Sequence, residues 1–224
     1  ASCRATSAHR SAAVSTSRSV SANGLRFHVL EEGAGDRLAL CLHGFPELGW
    51  SYRHQLPLLA ELGYRAWAPD LRGYGATERP RRQRDYAIEV LMDDVAGLIA
   101  AAGAERATIV GHDWGGLVAW YLAMRRPALF ERFVVLNIPH PKLLARAARR
   151  GPQLLRSYYA LLFQLPKLPE CLLAADDYRR VTDAFTSMAV DPSVFRPDDL
   201  RRYRDAAAQP GALRAMLAYY RALL

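Results

Sequence analysis

The chain has 224 residues, 51% of them hydrophobic and 23% charged. That is enough apolar material for one large or two small packed units, and it excludes collagen-like, low-complexity and compositionally disordered classes. The net charge is +8, yet Lys142 and Lys167 are the only lysines and the arginines are spread along the chain, some as doublets such as Arg149-Arg150 and Arg201-Arg202, with one cluster at Arg79, Arg81, Arg82 and Arg84; this layout reads as solvated surface and predicts no nucleic-acid partner.

Residues 1–22 are rich in Ser, Ala and Arg, and the first acidic residue is Glu31. A transit peptide has that composition, but the segment has no apolar period and reads as a disordered or non-native tail. A strand is predicted at Leu25–Leu30 after the Asn23-Gly24 turn, with Arg18–Ala22 the candidate hairpin partner. A buried strand follows at Arg37–Leu42, then a helix over Tyr52–Leu62 closed by Gly63. The next elements are a strand at Arg65–Pro69, a loop over 70–85, and a helix over Tyr86–Ala102 stopped by Gly103. A strand at Ala107–Val110, a helix at Leu117–Met124 and a strand at Phe133–Leu136 complete the alternation. Such βαβ units give a mostly parallel sheet with helices on both faces, an α/β fold.

After Pro139 the pattern changes. Leu154–Gln164, Asp176–Ala189, Pro197–Ala208 and Ala212–Leu224 read as helices separated by proline and glycine breakers. The expected organisation is a tail over 1–22, a partial α/β core over 23–139 and a helical lid over 140–224. No stretch approaches 18 unbroken apolar residues, so no membrane partner is expected. Cys3, Cys41 and Cys171 are odd in number and widely spaced, with neither a disulfide framework nor a zinc spacing; a reducing, cytoplasmic setting is expected.

The chemistry-bearing motif is Gly111-His112-Asp113-Trp114-Gly115-Gly116, placed between a strand and a helix. It has the form of the G-x-nucleophile-x-G elbow with Asp113 at the nucleophile position. The glycines suit a turn too tight for neighbouring Cβ atoms. A carboxylate is already anionic and needs no base to attack. A second motif, His43-Gly44-Phe45-Pro46-Glu47, follows the strand ending at Leu42. By position, the backbone N–H groups of Phe45 and Trp114 are the candidate oxyanion hole. His43, Gly44, Pro46 and His112 neighbour the substrate site. Asp70-Leu71-Arg72-Gly73-Tyr74-Gly75 is read as a structural brace.

Together these two motifs, with Asn137-Ile138-Pro139-His140-Pro141 where core gives way to lid, resemble the epoxide hydrolases of the α/β-hydrolase superfamily. The resemblance runs from about Asn23 onward. It implies an α/β-hydrolase fold with an all-helical lid and an aspartate that attacks an epoxide carbon to form an alkyl-enzyme ester. It implies a histidine, oriented by an acid, that activates water, and two lid tyrosines that protonate the opening ring. Phe163-Gln164 places the first tyrosine at Tyr159; Tyr220-Arg221 places the second at Tyr220. Each has a tyrosine neighbour, Tyr158 or Tyr219, and helical geometry sets neighbours about 100° apart, so one of each pair points inward.

The expected partners are a small apolar epoxide and water, with no cofactor and no metal. Chain order in the superfamily is nucleophile, acid, histidine. Among His9, His28, His43, His54, His112 and His140, only His140 lies downstream of Asp113, and it belongs to the lid hinge. The chain therefore reads as truncated before its acid and base, with full turnover in doubt and an uncovered strand edge expected to promote association. Two alternatives stand beside this reading. A haloalkane dehalogenase also uses an Asp-Trp elbow but gives no purpose to the lid tyrosines. A non-catalytic module of the same fold would explain the missing base.

Overall fold

The computed structural model describes residues 16–148, 158–187 and 189–223. Six strands form one sheet in the order β1-β2-β4-β3-β5-β6. They are β1 (Thr16–Ala22), β2 (Leu25–Glu32), β3 (Arg37–Leu42), β4 (Tyr64–Pro69), β5 (Ala107–His112) and β6 (Phe130–Leu136). The pairings β4–β3, β3–β5 and β5–β6 are parallel; β1–β2 and β2–β4 are antiparallel. The hairpin turns at Asn23 and Gly24, both at positive φ (45° and 72°), as an Asn-Gly pair favours. Thr16–Ala22 is thus strand, not tail, and the packed region begins before Asn23. Residues 1–15 lie outside the described residues.

Strand β3 shows why the sheet must be covered on both sides. Its six residues read Arg-Leu-Ala-Leu-Cys-Leu. Leu38, Leu40 and Leu42 enter the larger core, which also contains α2 (Ile88–Ala101), α3 (Asp113–Arg125) and the last helices. Ala39 and Cys41 point the other way, to Leu56 of α1 (Gln55–Glu61), Tyr64 and Ala68. Alternation on a strand buried on both faces produces a continuous apolar run. Each buried leucine contributes about 1.5–3 kcal/mol by leaving water.

The remaining helices are α4 (Pro141–Ala148), α5 (Tyr158–Leu162), α6 (Leu168–Thr186), α7 (Pro197–Ala208) and α8 (Ala212–Arg221). No strand occurs beyond β6 among the described residues. Helix α4 was not expected. Helix α6 begins before Asp176, where Pro169 suits a first turn, and breaks at Ala175–Tyr178, where three successive residues take positive φ. Helices α7 and α8 join the core: Tyr203, Ala215, Met216, Leu217 and Tyr219 are fully buried. Two buried charges brace the loop after β4. Arg72 donates to Asp94 from Nε at 2.7 Å and from a terminal nitrogen at 2.5 Å, and Asn23 donates to the same carboxylate at 2.8 Å.

Candidate active site

Asp113 sits where β5 ends and α3 begins, with φ at 48°. Positive φ in a residue other than glycine is strained and persists only where packing enforces it. The packing here leaves no room for side chains around the turn. A Cβ on Gly115 would lie 2.2 Å from the Leu42 carbonyl oxygen, and one on Gly44 would lie 2.5 Å from the Asp113 Cβ. The two loops are in van der Waals contact, and both glycines are required by that contact.

The Phe45 N–H donates to Asp113 Oδ1 at 2.9 Å, and the Trp114 N–H also hydrogen-bonds the carboxylate. The two expected donors therefore converge on one side chain. The Phe45–Pro46 bond is cis. Burial raises the Asp113 carboxyl above its ordinary range, while those two N–H groups and His112 pull it back. A buried carboxylate oriented by two backbone donors is suited to attack an electrophile brought against it.

The two nearby histidines have different tasks. His43 is fully buried. Its Nε2 accepts the Leu71 N–H at 2.9 Å, so its Nδ1 carries the proton and donates to the Gly44 carbonyl at 2.8 Å. Burial lowers its pKa, in keeping with a neutral ring. With both nitrogens engaged, His43 shapes the loop and has no lone pair for chemistry. His112 pairs through Nδ1 with Glu47 Oε2 at 2.9 Å, and its Nε2 lies 3.2 Å from Asn137 Nδ2. The hydrogen bond to Glu47 raises the His112 pKa. Burial pushes Glu47 upward, but His112 and the Gly44 N–H (2.7 Å) outweigh it and hold the carboxyl below its usual value.

Helix α8 and Phe163 close one side of the elbow with aromatic rings. Tyr220 on α8 packs edge-on to Trp114 (5.0 Å between centroids), Phe163 (4.9 Å) and Phe45 (5.5 Å). Its neighbour Tyr219 turns into the core and donates to the Arg72 carbonyl at 2.8 Å. Of this pair, Tyr220 is the one beside the elbow. Gln164 donates to the Tyr220 carbonyl at 2.9 Å, linking the Phe163-Gln164 segment to α8. The expected Tyr159 falls on α5, but its side chain lies outside the described residues. The structure thus brings together Asp113, Phe45, Trp114, Gly44, His112 and Tyr220, and keeps His43 as a buried support. Pro46 is buried beside Phe45.

Sequence reasoning missed Glu47, Asn137 and Phe163 as members of the site. Glu47 closes the His43–Glu47 motif, but its partner lies 65 residues away. No local pattern signals that contact.

A family profile described as the alpha/beta hydrolase fold matches residues 40–210. The AB hydrolase superfamily protein YfhM of Bacillus subtilis is 43% identical over 206 residues, covering 91% of this chain and 72% of the relative. Mouse Epoxide hydrolase 4 is 37% identical over 205 residues, covering 89% of this chain and 57% of the relative. The crystal structure of epoxide hydrolase VrEH1 from Vigna radiata superposes with a TM-score of 0.80 at 36% identity, covering 94% of this chain and 72% of that one. The chain therefore spans little more than half the length of the mouse relative.

Proposed function

Because the chain belongs to the α/β-hydrolase fold family and, within it, to the epoxide hydrolases, we propose that Asp113 opens epoxides by forming an alkyl-enzyme ester. The observation that carries this reading is the 2.9 Å hydrogen bond from the Phe45 N–H to Asp113 Oδ1. With the Trp114 N–H, it orients the carboxylate for attack. The attack joins a carboxylate oxygen to a ring carbon and breaks that carbon's bond to the epoxide oxygen. The departing alkoxide takes a proton from Tyr220, with Tyr159 as its counterpart on α5. A phenol with an ordinary pKa of about 10 is still protonated at neutral pH and can serve as this acid. The rings of Phe45, Trp114, Phe163 and Tyr220 favour a small apolar epoxide.

Ester hydrolysis is a second step with its own demand. Water must attack the Asp113 ester carbonyl, and the Phe45 and Trp114 N–H groups then stabilise the oxyanion. That water needs a base. Among the described residues, His43 has both ring nitrogens occupied and His112 holds Glu47, so neither serves as it. For these residues alone we expect alkylation to outrun hydrolysis. The test is intact mass after exposure to styrene oxide. One stable equivalent mapping to Asp113, and lost in Asp113→Asn, is the expected result. A folded sample that takes up no adduct overturns the proposal. Chloride release from a haloalkane under the same conditions would favour the dehalogenase reading.

A further inference from the structure

An open pocket of about 600 Å³ lies apart from the elbow, between the β1–β2 hairpin, the loop after β4 and helix α7. None of Asp113, Phe45, Trp114 or Tyr220 lines it. Ser17, His28 and Asp70 do. The Ser17 Oγ lies 2.7 Å from His28 Nε2, and His28 Nδ1 lies 2.8 Å from Asp70 Oδ2. Asp70 is buried and also accepts the backbone N–H groups of Gly49 at 2.9 Å and Ala76 at 3.2 Å. Three donors around one buried carboxylate keep it ionised and acceptor-only. The His28 proton is then confined to Nδ1 in the neutral ring, and the Nε2 lone pair faces the serine hydroxyl. Ser17 itself is solvent-exposed on the edge strand. Nucleophile, base and orienting acid are thus in hydrogen-bonded series beside a cavity, the arrangement that activates serine on unrelated folds.

We propose that Ser17, His28 and Asp70 form a second nucleophilic site that takes acyl groups from small esters. His28 Nε2 accepts the Ser17 hydroxyl proton as Oγ bonds to the ester carbonyl carbon. The bond from that carbon to the alcohol oxygen breaks, and His28 returns the proton to the leaving alkoxide. Water, deprotonated by the same nitrogen, then releases the acid and restores Ser17. The pocket also holds Arg53 and Arg202. Arg53 is paired with Asp199 at 3.1 Å, whereas the Arg202 guanidinium rests on the Trp50 ring, 4.3 Å from its centroid. Asp205, the other acid in the pocket, is paired with Arg204 at 3.2 Å. This balance suits an ester whose acyl part carries an anionic group.

The experiment is labelling with a fluorophosphonate probe, followed by intact mass and peptide mapping. The expected result is one equivalent on Ser17, absent in Ser17→Ala and unchanged in Asp113→Asn. Labelling slows by about 10²-fold in His28→Gln, because the base is removed. Hydrolysis of p-nitrophenyl hemisuccinate should exceed that of p-nitrophenyl acetate, with Arg202→Ala removing the preference. No adduct on a folded sample, or labelling of Ser17 at the same rate in His28→Gln, overturns the site. Equal rates for the two esters overturn the anionic acyl specificity.

Discussion

The two halves of the helical segment that follows β6 differ in how they are held. Helices α7 and α8 are fastened to the core by side chains from distant loops. Trp50 and Arg53 both donate to Asp199, at 2.7 and 3.1 Å; Ser51 meets the Tyr203 hydroxyl at 3.0 Å; and Arg214 reaches the carbonyls of Arg81 and Pro80. Helices α4 and α5 and the segment after them expose their leucines instead: Leu143 is 59% exposed and Leu161 60%. Among the described residues, the segment after α5 is tied to α8, through Gln164 to the Tyr220 carbonyl and Arg221 to the carbonyls of Phe163 and Leu165. The consequence is functional, since Tyr220, one proposed proton donor, sits on the half fastened to the core loops.

This contrast can be broken most severely at Asp199. Its side chain and that of Arg53 are only 9% and 11% exposed. Asp199→Ala leaves the Arg53 guanidinium and the Trp50 N–H without their acceptor, and a loss of about 3–5 kcal/mol is expected for a broken buried pair. Urea denaturation measures it. Next comes packing. Met216→Ala on α8 should lose about 2–5 kcal/mol, whereas Leu161→Ala on α5 should stay within about 0.5 kcal/mol. Similar losses at both positions would show that the two halves are equally anchored.

The adjacent tyrosines sharpen the comparison within one helix. Tyr220→Phe should slow styrene oxide alkylation by about 10²-fold. Tyr219→Phe should leave that rate alone and lower stability by about 1–2 kcal/mol, because the Arg72 carbonyl loses its buried donor. Rate measurements and melts on the two variants separate the roles.

The smallest effect is a pH dependence from the loop side of the site. His112 has a raised pKa, so its share of stability is complete below 6.5 and fades as pH rises through the raised value. Glu47 has a depressed pKa, so its share is present above 4.5 and fades as pH falls through the depressed value. Melting temperatures of His112→Gln should therefore fall less than those of the parent as pH rises above 6.5.

Much of the core was legible because it is locally encoded. Strand β3 was read at its observed bounds, Arg37–Leu42, since a six-residue run bounded by turn residues leaves little choice. The elbow was legible because a strand, two flanking glycines and a helix lie within a dozen residues. The cap was harder. Asp176-Asp177 resembles a helix start, yet it marks a break inside a helix that begins at Leu168. Helix α4 was hidden because its first residue, Pro141, closes a motif that reads as a hinge. The site's second layer was illegible for a different reason: Glu47 with His112, and Tyr219 with Arg72, are pairs made by tertiary folding, and no periodicity records them. Ser17, His28 and Asp70 share that obscurity, coming from three separate strands and loops.

Gly44 and Gly115 carry a lesson for anyone scanning this protein by saturation mutagenesis. Neither has a functional group, yet a Cβ at 44 would strike the Asp113 side chain and one at 115 would strike the Leu42 carbonyl. Both positions should tolerate nothing but the native residue and should score as severely as Asp113 itself. By contrast, a Cβ at Gly103 or Gly63 meets nothing within 4 Å, so only backbone strain limits those sites. A fitness map of this chain would therefore show a tight cluster of intolerance around the elbow in which the reacting residue is indistinguishable from its steric neighbours. Only a chemical readout of adduct formation at a named atom would pick it out.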